Sequence, residues 1–114
     1  MWRSTIEVLT FPTVRDRGRD VPDFTATPTA VPIRGVDVQP GASTELAAQR
    51  RDATLVRWTV YVRPGSVPAG VHLSEGSIVR TPTGEVCQVD GRPMAWLEGS
   101  PVDHILLALK EWVH

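Results

Sequence analysis

At 114 residues the chain has room for one domain with a single modest core. Ten prolines and nine glycines spread along the whole length, with 41% hydrophobic residues, favour short strands joined by turns over a helical bundle. A formal net charge of −1 and a pI near 6.3 exclude the basic field by which an autonomous DNA-binding protein displaces counterions.

Thr5-Ile6-Glu7-Val8-Leu9 alternates with Ile6 and Val8 on one face, a short first strand that Phe11-Pro12 ends. A long connection follows, over about residues 12–34, carrying four prolines and the charged knot Arg15-Asp16-Arg17-Gly18-Arg19-Asp20. Segments of this kind, when they are not simply mobile surface loops, serve as arms that stay extended until they lie on a neighbour. Arg15, Asp16, Arg17, Arg19 and Asp20 are therefore the candidate residues of an inter-subunit arm.

Val36-Asp37-Val38-Gln39 reads as a second short strand closed by Pro40-Gly41. The next stretch, about residues 41–53, is a second candidate functional loop, in which Ser43 or Thr44 is placed to cap a short helical turn through Leu46 and Ala47. Glu45 and Asp52 balance Arg50 and Arg51, so the loop is nearly neutral.

Leu55 to Pro64 holds the longest clean two-residue alternation in the chain and is expected to be the central strand. Val56, Trp58, Val60 and Val62 fall on one face as core, while Arg57, Thr59, Tyr61 and Arg63 fall on the other, wet or in contact with a partner. Pro64 to Gly76 is rich in turns, with Val71 and Leu73 expected to plug one end of the core. Ser77–Arg80 and Glu85–Val89, separated by Thr81-Pro82-Thr83-Gly84, form a hairpin pattern. Trp96 lies in a segment flanked by proline and glycine, where an indole commonly lids a core. The last element, Asp103 to Trp112, fits a helix burying Leu106, Leu109 and Val113 or a strand burying Ile105, Leu107 and Leu109, and periodicity alone does not choose.

Chemistry-bearing residues are sparse. Cys87 is the only cysteine, so no intramolecular disulfide forms, and its Val-Cys-Gln-Val setting suits a small buried hydrophobe better than a nucleophile. His72, His104 and His114 have no partner at metal-ligand spacing. Asp103-His104 is not accompanied by a nucleophile elbow, and no Gly-rich phosphate loop is present, so neither an enzymatic role nor a cofactor is expected. The N-terminus lacks the apolar core of a signal peptide, and the longest strictly apolar run, Ile105 to Leu109, is far shorter than a membrane span, so a soluble protein made in a cytoplasm is expected.

Four local patterns, in order, resemble the head-to-tail stopper, or head-closure, proteins of long-tailed bacteriophages: Gln39-Pro40-Gly41-Ala42-Ser43-Thr44-Glu45; Trp58-Thr59-Val60-Tyr61 with Pro64-Gly65; Val89-Asp90-Gly91-Arg92-Pro93 with Trp96; and Asp103-His104 leading to Lys110-Glu111-Trp112. The resemblance covers about Val36 to the C-terminus, with the Asp16-Arg17-Gly18 region in addition. Each pattern is turn chemistry flanking a strand, and it is their order and spacing that carry the likeness. The resemblance implies a mainly β, small single-domain β-barrel with long loops, and it selects the strand for the last element. It further implies a homododecameric ring in the neck of the virion, below the portal and its adaptor ring and above a tail terminator or tail-completion protein, which closes the DNA channel of the filled head and receives the tail. No catalytic residues come with that family.

Under the resemblance, the loop at 41–53 is the candidate lumen gate, with Ser43, Thr44, Glu45, Gln49, Arg50 and Arg51 as its polar residues. A nearly neutral loop would meet DNA only by weak, non-specific contact, since each clamped phosphate multiplies around a ring. Two other classes stay open. One is a different connector component, an adaptor or tail-completion protein; the other is a free-standing SH3-like or OB-like binding module, against which the few aromatics and the absent positive excess both weigh.

Overall fold

The computed structural model describes residues 3–42, 55–97 and 102–112. Nine strands occur among them: β1 (Ser4–Thr10), β2 (Thr13–Asp16), β3 (Arg19–Pro22), β4 (Thr29–Pro40), β5 (Trp58–Val62), β6 (Ile78–Arg80), β7 (Val86–Val89), β8 (Met94–Leu97) and β9 (Val102–Glu111). A short 3-10 turn, Pro64–Ser66, follows β5, where Pro64 removes the ladder donor that a longer strand would need.

All pairings are antiparallel, and the main sheet runs β5-β4-β1-β6-β7-β9-β8. It closes on itself because β5 also pairs with β9, from Trp58↔Leu109 to Val62↔Ile105. The result is a mainly β fold, a small barrel of six strands with β8 added beside the first half of β9. Closure removes the open edges that an isolated sheet would leave.

The interior is filled by alternate residues of these strands. Ile6, Ile33, Val36, Val60, Val62, Val79, Leu107 and Leu109 are fully buried in one cluster, with Trp58, Val67, Val71 and Leu73 packed against it. Val71 and Leu73 thus close the core from the turn-rich passage, as their sequence suggests. The β6–β7 hairpin turns through residues 81–84, with the Thr81 amide donating to the Glu85 carbonyl at 2.8 Å and Gly84 at φ 91 completing a three-residue connection.

Three expectations change. The face opposite the interior on the central strand, expected to be wet or in contact with a partner, is covered in its middle: Thr59 is fully buried, its Oγ1 donating to the Gly41 carbonyl at 2.7 Å, and Tyr61 is half-buried, whereas Arg57 and Arg63 are exposed. Val56 is buried, but with Leu106 and Ala108 in a second cluster outside the barrel, against which Tyr61 and Ala42 pack. A bend at Arg57 interrupts the alternation, so β5 starts at Trp58. The last element is a strand, and both its faces are covered: Leu107 and Leu109 inward, His104, Leu106 and Ala108 outward.

The third change concerns residues 12–34, which are not an irregular arm throughout. Residues 13–22 form a two-stranded hairpin, and Thr29 onward belongs to β4, twelve residues long and paired with β1 from Thr29↔Thr10 to Val36↔Ser4. Pro32 lies inside β4, opposite Glu7. A proline fits a strand where its missing N–H would point away from the neighbour, which is why the run does not read as a strand from propensity.

Candidate functional site

The charged knot is the tip of the arm. Thr13↔Pro22, Val14↔Val21, Arg15↔Asp20 and Asp16↔Arg19 face each other across β2 and β3, so opposite charges sit opposite each other in register. Arg17 (φ 52) and Gly18 (φ 79) make the two-residue connection, and positive φ at both central positions marks a type I′ turn, whose twist suits a hairpin. Every residue from Pro12 to Asp20 is exposed, Val14 at 48%. Arg15, Asp16, Arg17, Arg19 and Asp20 are thereby brought together on one projecting ribbon that carries three positive and two negative charges.

Two features hold the base of the arm. The Asp23 amide donates to the Pro12 carbonyl at 2.8 Å, continuing the ladder by one pair. The Asp23 carboxylate accepts from the Thr25 hydroxyl at 2.6 Å and the Thr25 amide at 3.1 Å, and these bonds hold its pKa below the ordinary value. Phe11 and Phe24, just outside the two ends of the ribbon, meet Trp112 from the end of β9, with ring centroids 5.1 to 5.6 Å apart. Phe24 meets Phe11 and Trp112 edge to face, while Phe11 and Trp112 are tilted at 40°; an edge-to-face pair at this spacing is stabilising by about 0.5–1.5 kcal/mol beyond the area it buries.

This aromatic triangle lies over the outside of the barrel. Leu9 and Ile78, paired in register on β1 and β6, are buried there although their neighbours Val8 and Val79 supply the interior. An open groove of about 330 Å³ runs beside the triangle, with Pro22, His72, Ser77 and Gln88 completing its walls. The importance of the triangle escapes strand periodicity. The usable signal is placement: the only two phenylalanines in the chain flank the charged knot.

The opposite end of β4 leads to the second candidate loop. A strand rises about 3.3 Å per residue, so the two ends of β4 stand roughly 36 Å apart. Ser43, Thr44, Glu45, Gln49, Arg50 and Arg51 lie outside the described residues, but the stem they leave from is defined. The Gly41 amide donates to the Arg57 carbonyl at 2.7 Å, so residues 43–54 connect adjacent strands of the barrel. Beside this stem, Glu85 receives Trp58 Nε1 at 2.7 Å on one oxygen and Arg57 Nε at 2.6 Å on the other, tying the start of β5 to the β6–β7 hairpin.

Among the described residues no group of three His, Cys, Asp or Glu side chains is arranged to hold a metal ion. Cys87 is fully buried in the interior, and its thiol is pushed up to about 11, chiefly by burial and then by the negative charge of Glu85. His104 is buried beside Tyr61, ring centroids 5.5 Å apart, and His72 is exposed on the groove wall. Among the described residues no helix is long and apolar enough to cross a membrane. Compared with family models, curated proteins and solved structures, the chain matches none.

Proposed function

We propose that the chain is a structural protein of the bacteriophage neck, a head-to-tail stopper whose ring closes the DNA channel of the filled head and offers the tail its docking platform. The observation that carries this reading is a closed barrel with a hairpin, exposed at every position but Val21, at one end of β4 and the 43–54 connection leaving the other. The barrel is the fold that the sequence resemblance implies. A projecting ribbon whose charges cancel except at Arg17 suits a contact between copies, and a connection at the far end suits a loop reaching toward a channel axis. In this role the adaptor ring lies above, the tail-completion protein below, and DNA passes with weak contacts only, in keeping with the net charge of −1. Retention of DNA is then steric.

Removing the gene from its phage tests the role. DNA-filled heads that leak and lack tails are expected; empty heads, or unaffected particles, would overturn it.

The groove beside Phe11, Phe24 and Trp112 favours one alternative, a barrel module that binds an extended proline-rich peptide between aromatic rings. Fluorescence titration of Trp112 with such peptides separates the two readings, because saturable binding supports the module.

A further inference from the structure

A two-stranded ribbon standing in water by itself is marginally stable, and an open strand edge is a template for another strand. The chain has both features in different places. The ribbon pairs only β2 with β3, and β8 is the terminal strand of the main sheet among the described residues.

The edges are not equal. Asp23 bonds back to Pro12, so the alternation of an antiparallel ladder makes 12/23, 14/21 and 16/19 the bonded pairs and turns the backbone groups of Thr13, Arg15, Asp20 and Pro22 outward. On β3 the outward side is blunted, since Pro22 has no N–H to offer. On β2 both Thr13 and Arg15 present a donor and an acceptor. The outer side of β4 over its first half carries Pro32, a guard against pairing. Met94-Ala95-Trp96-Leu97 has neither proline nor charge within it.

We infer that β2 of one copy adds as a further strand to the outer edge of β8 of the next, so that the arm joins neighbouring copies by backbone hydrogen bonds. The inference rests on the neck reading for its setting and names the contact by which that reading's copies associate. The two patches differ, so the contact is head-to-tail and propagates into a ring or an open filament. Charge plays a secondary part, because Arg15↔Asp20 and Asp16↔Arg19 neutralise each other within the ribbon.

Disulfide trapping reads this pairing directly. Arg15→Cys chain is mixed in turn with Met94→Cys, Ala95→Cys, Trp96→Cys or Leu97→Cys chain at about 1 mM total protein, in a glutathione buffer, after circular dichroism has shown each variant folded. Native Cys87 is fully buried, and Arg15→Cys alone serves as its control. Strand pairing predicts cross-linked heterodimers at alternate β8 positions, 94 and 96 or 95 and 97, at least about fivefold above the other two, since only one face of a pleated strand lies beside the probe. A flat pattern, homodimers of Arg15→Cys alone, or no cross-links would overturn the inference. Any β8 variant that does not fold is replaced by Arg15→Pro, which leaves β8 untouched and removes an outward donor. Sedimentation should then show self-association of the native chain that is lost in the variant, and equal association, or none in the native chain, overturns the inference. A flat pattern beside leaking, tailless heads would remove this contact and keep the neck role; the converse pair would do the opposite.

Discussion

Glu85 is the residue on which the stem of the second loop turns. Its two oxygens take Arg57 and Trp58 separately, and the Trp58 ring is only half-buried, so the indole contributes both packing and a hydrogen bond to a charge. Trp58→Phe keeps most of the packing and removes the donor; urea unfolding should show a loss of about 1–2 kcal/mol. Trp58→Ala should lose about 3 kcal/mol. Equal losses in the two variants would mean that the hydrogen bond, not the ring, dominates. Cys87 makes a different prediction. Its folded pKa of about 11 lies above the ordinary 9.0, so the folded chain keeps a proton that the unfolded chain gives up. The contribution is present below pH 9 and is lost as pH rises toward 11. Chemical denaturation across that window should show stability falling with pH, with a smaller slope in Cys87→Ala.

At the scale of elements the arm behaves as a separate unit. Its residues share no core with the barrel beyond the aromatic triangle, so weakening its turn should leave the barrel intact. Gly18→Ala places a Cβ at φ 79, a conformation that costs an L-residue about 1 kcal/mol or more. Hydrogen exchange at the Val14 and Val21 amides should accelerate several-fold, while Tm shifts by less than about 2 °C. A global loss of stability would show that the arm is part of the cooperative unit. The arm's extent is only half legible in the sequence. Its charges and prolines mark a special segment, but residues 12–34 hold no Asn-Gly or Asp-Gly pair to announce the hairpin, and Arg17 occupies a position where glycine or asparagine is usual. The β6–β7 hairpin, by contrast, follows ordinary turn chemistry and was readable from Thr81 to Gly84.

For the whole molecule, stability depends on the seam between β5 and β9, which join strands far apart in sequence. Val60 and Leu107 face each other across it, both fully buried inside. Leu107→Ala should cost about 2–5 kcal/mol by denaturant titration, against a total of about 5–15 kcal/mol for a domain of this size. Leu106→Ala, in the outer cluster, should cost a comparable amount, because that residue is equally buried. A negligible effect of Leu106→Ala would show that the outer cluster is not part of the stable core. Deleting Arg15–Asp20 should leave a folded monomer that no longer assembles; intact rings after that deletion would remove the arm from assembly.

The sequence alone determined that Trp58, Val60 and Val62 share one face of the central strand and Thr59 and Tyr61 the other, because period-two alternation is a local property of the backbone; it did not show the bend at Arg57 that sends Val56 to the outer cluster. It also determined the near-neutral charge and the isolation of the arm's charged tip. Whether a given face is covered is a different matter, decided by which distant strand lies beside it and what lies over it. Thr59, Leu106 and Ala108 could not be read as buried until β5 met β9 and the outer cluster formed. Likewise Phe11, Phe24 and Trp112 became one feature only when the barrel brought residues a hundred positions apart into contact. Such contacts arise from closure of the chain on itself, and no window of neighbouring residues contains them.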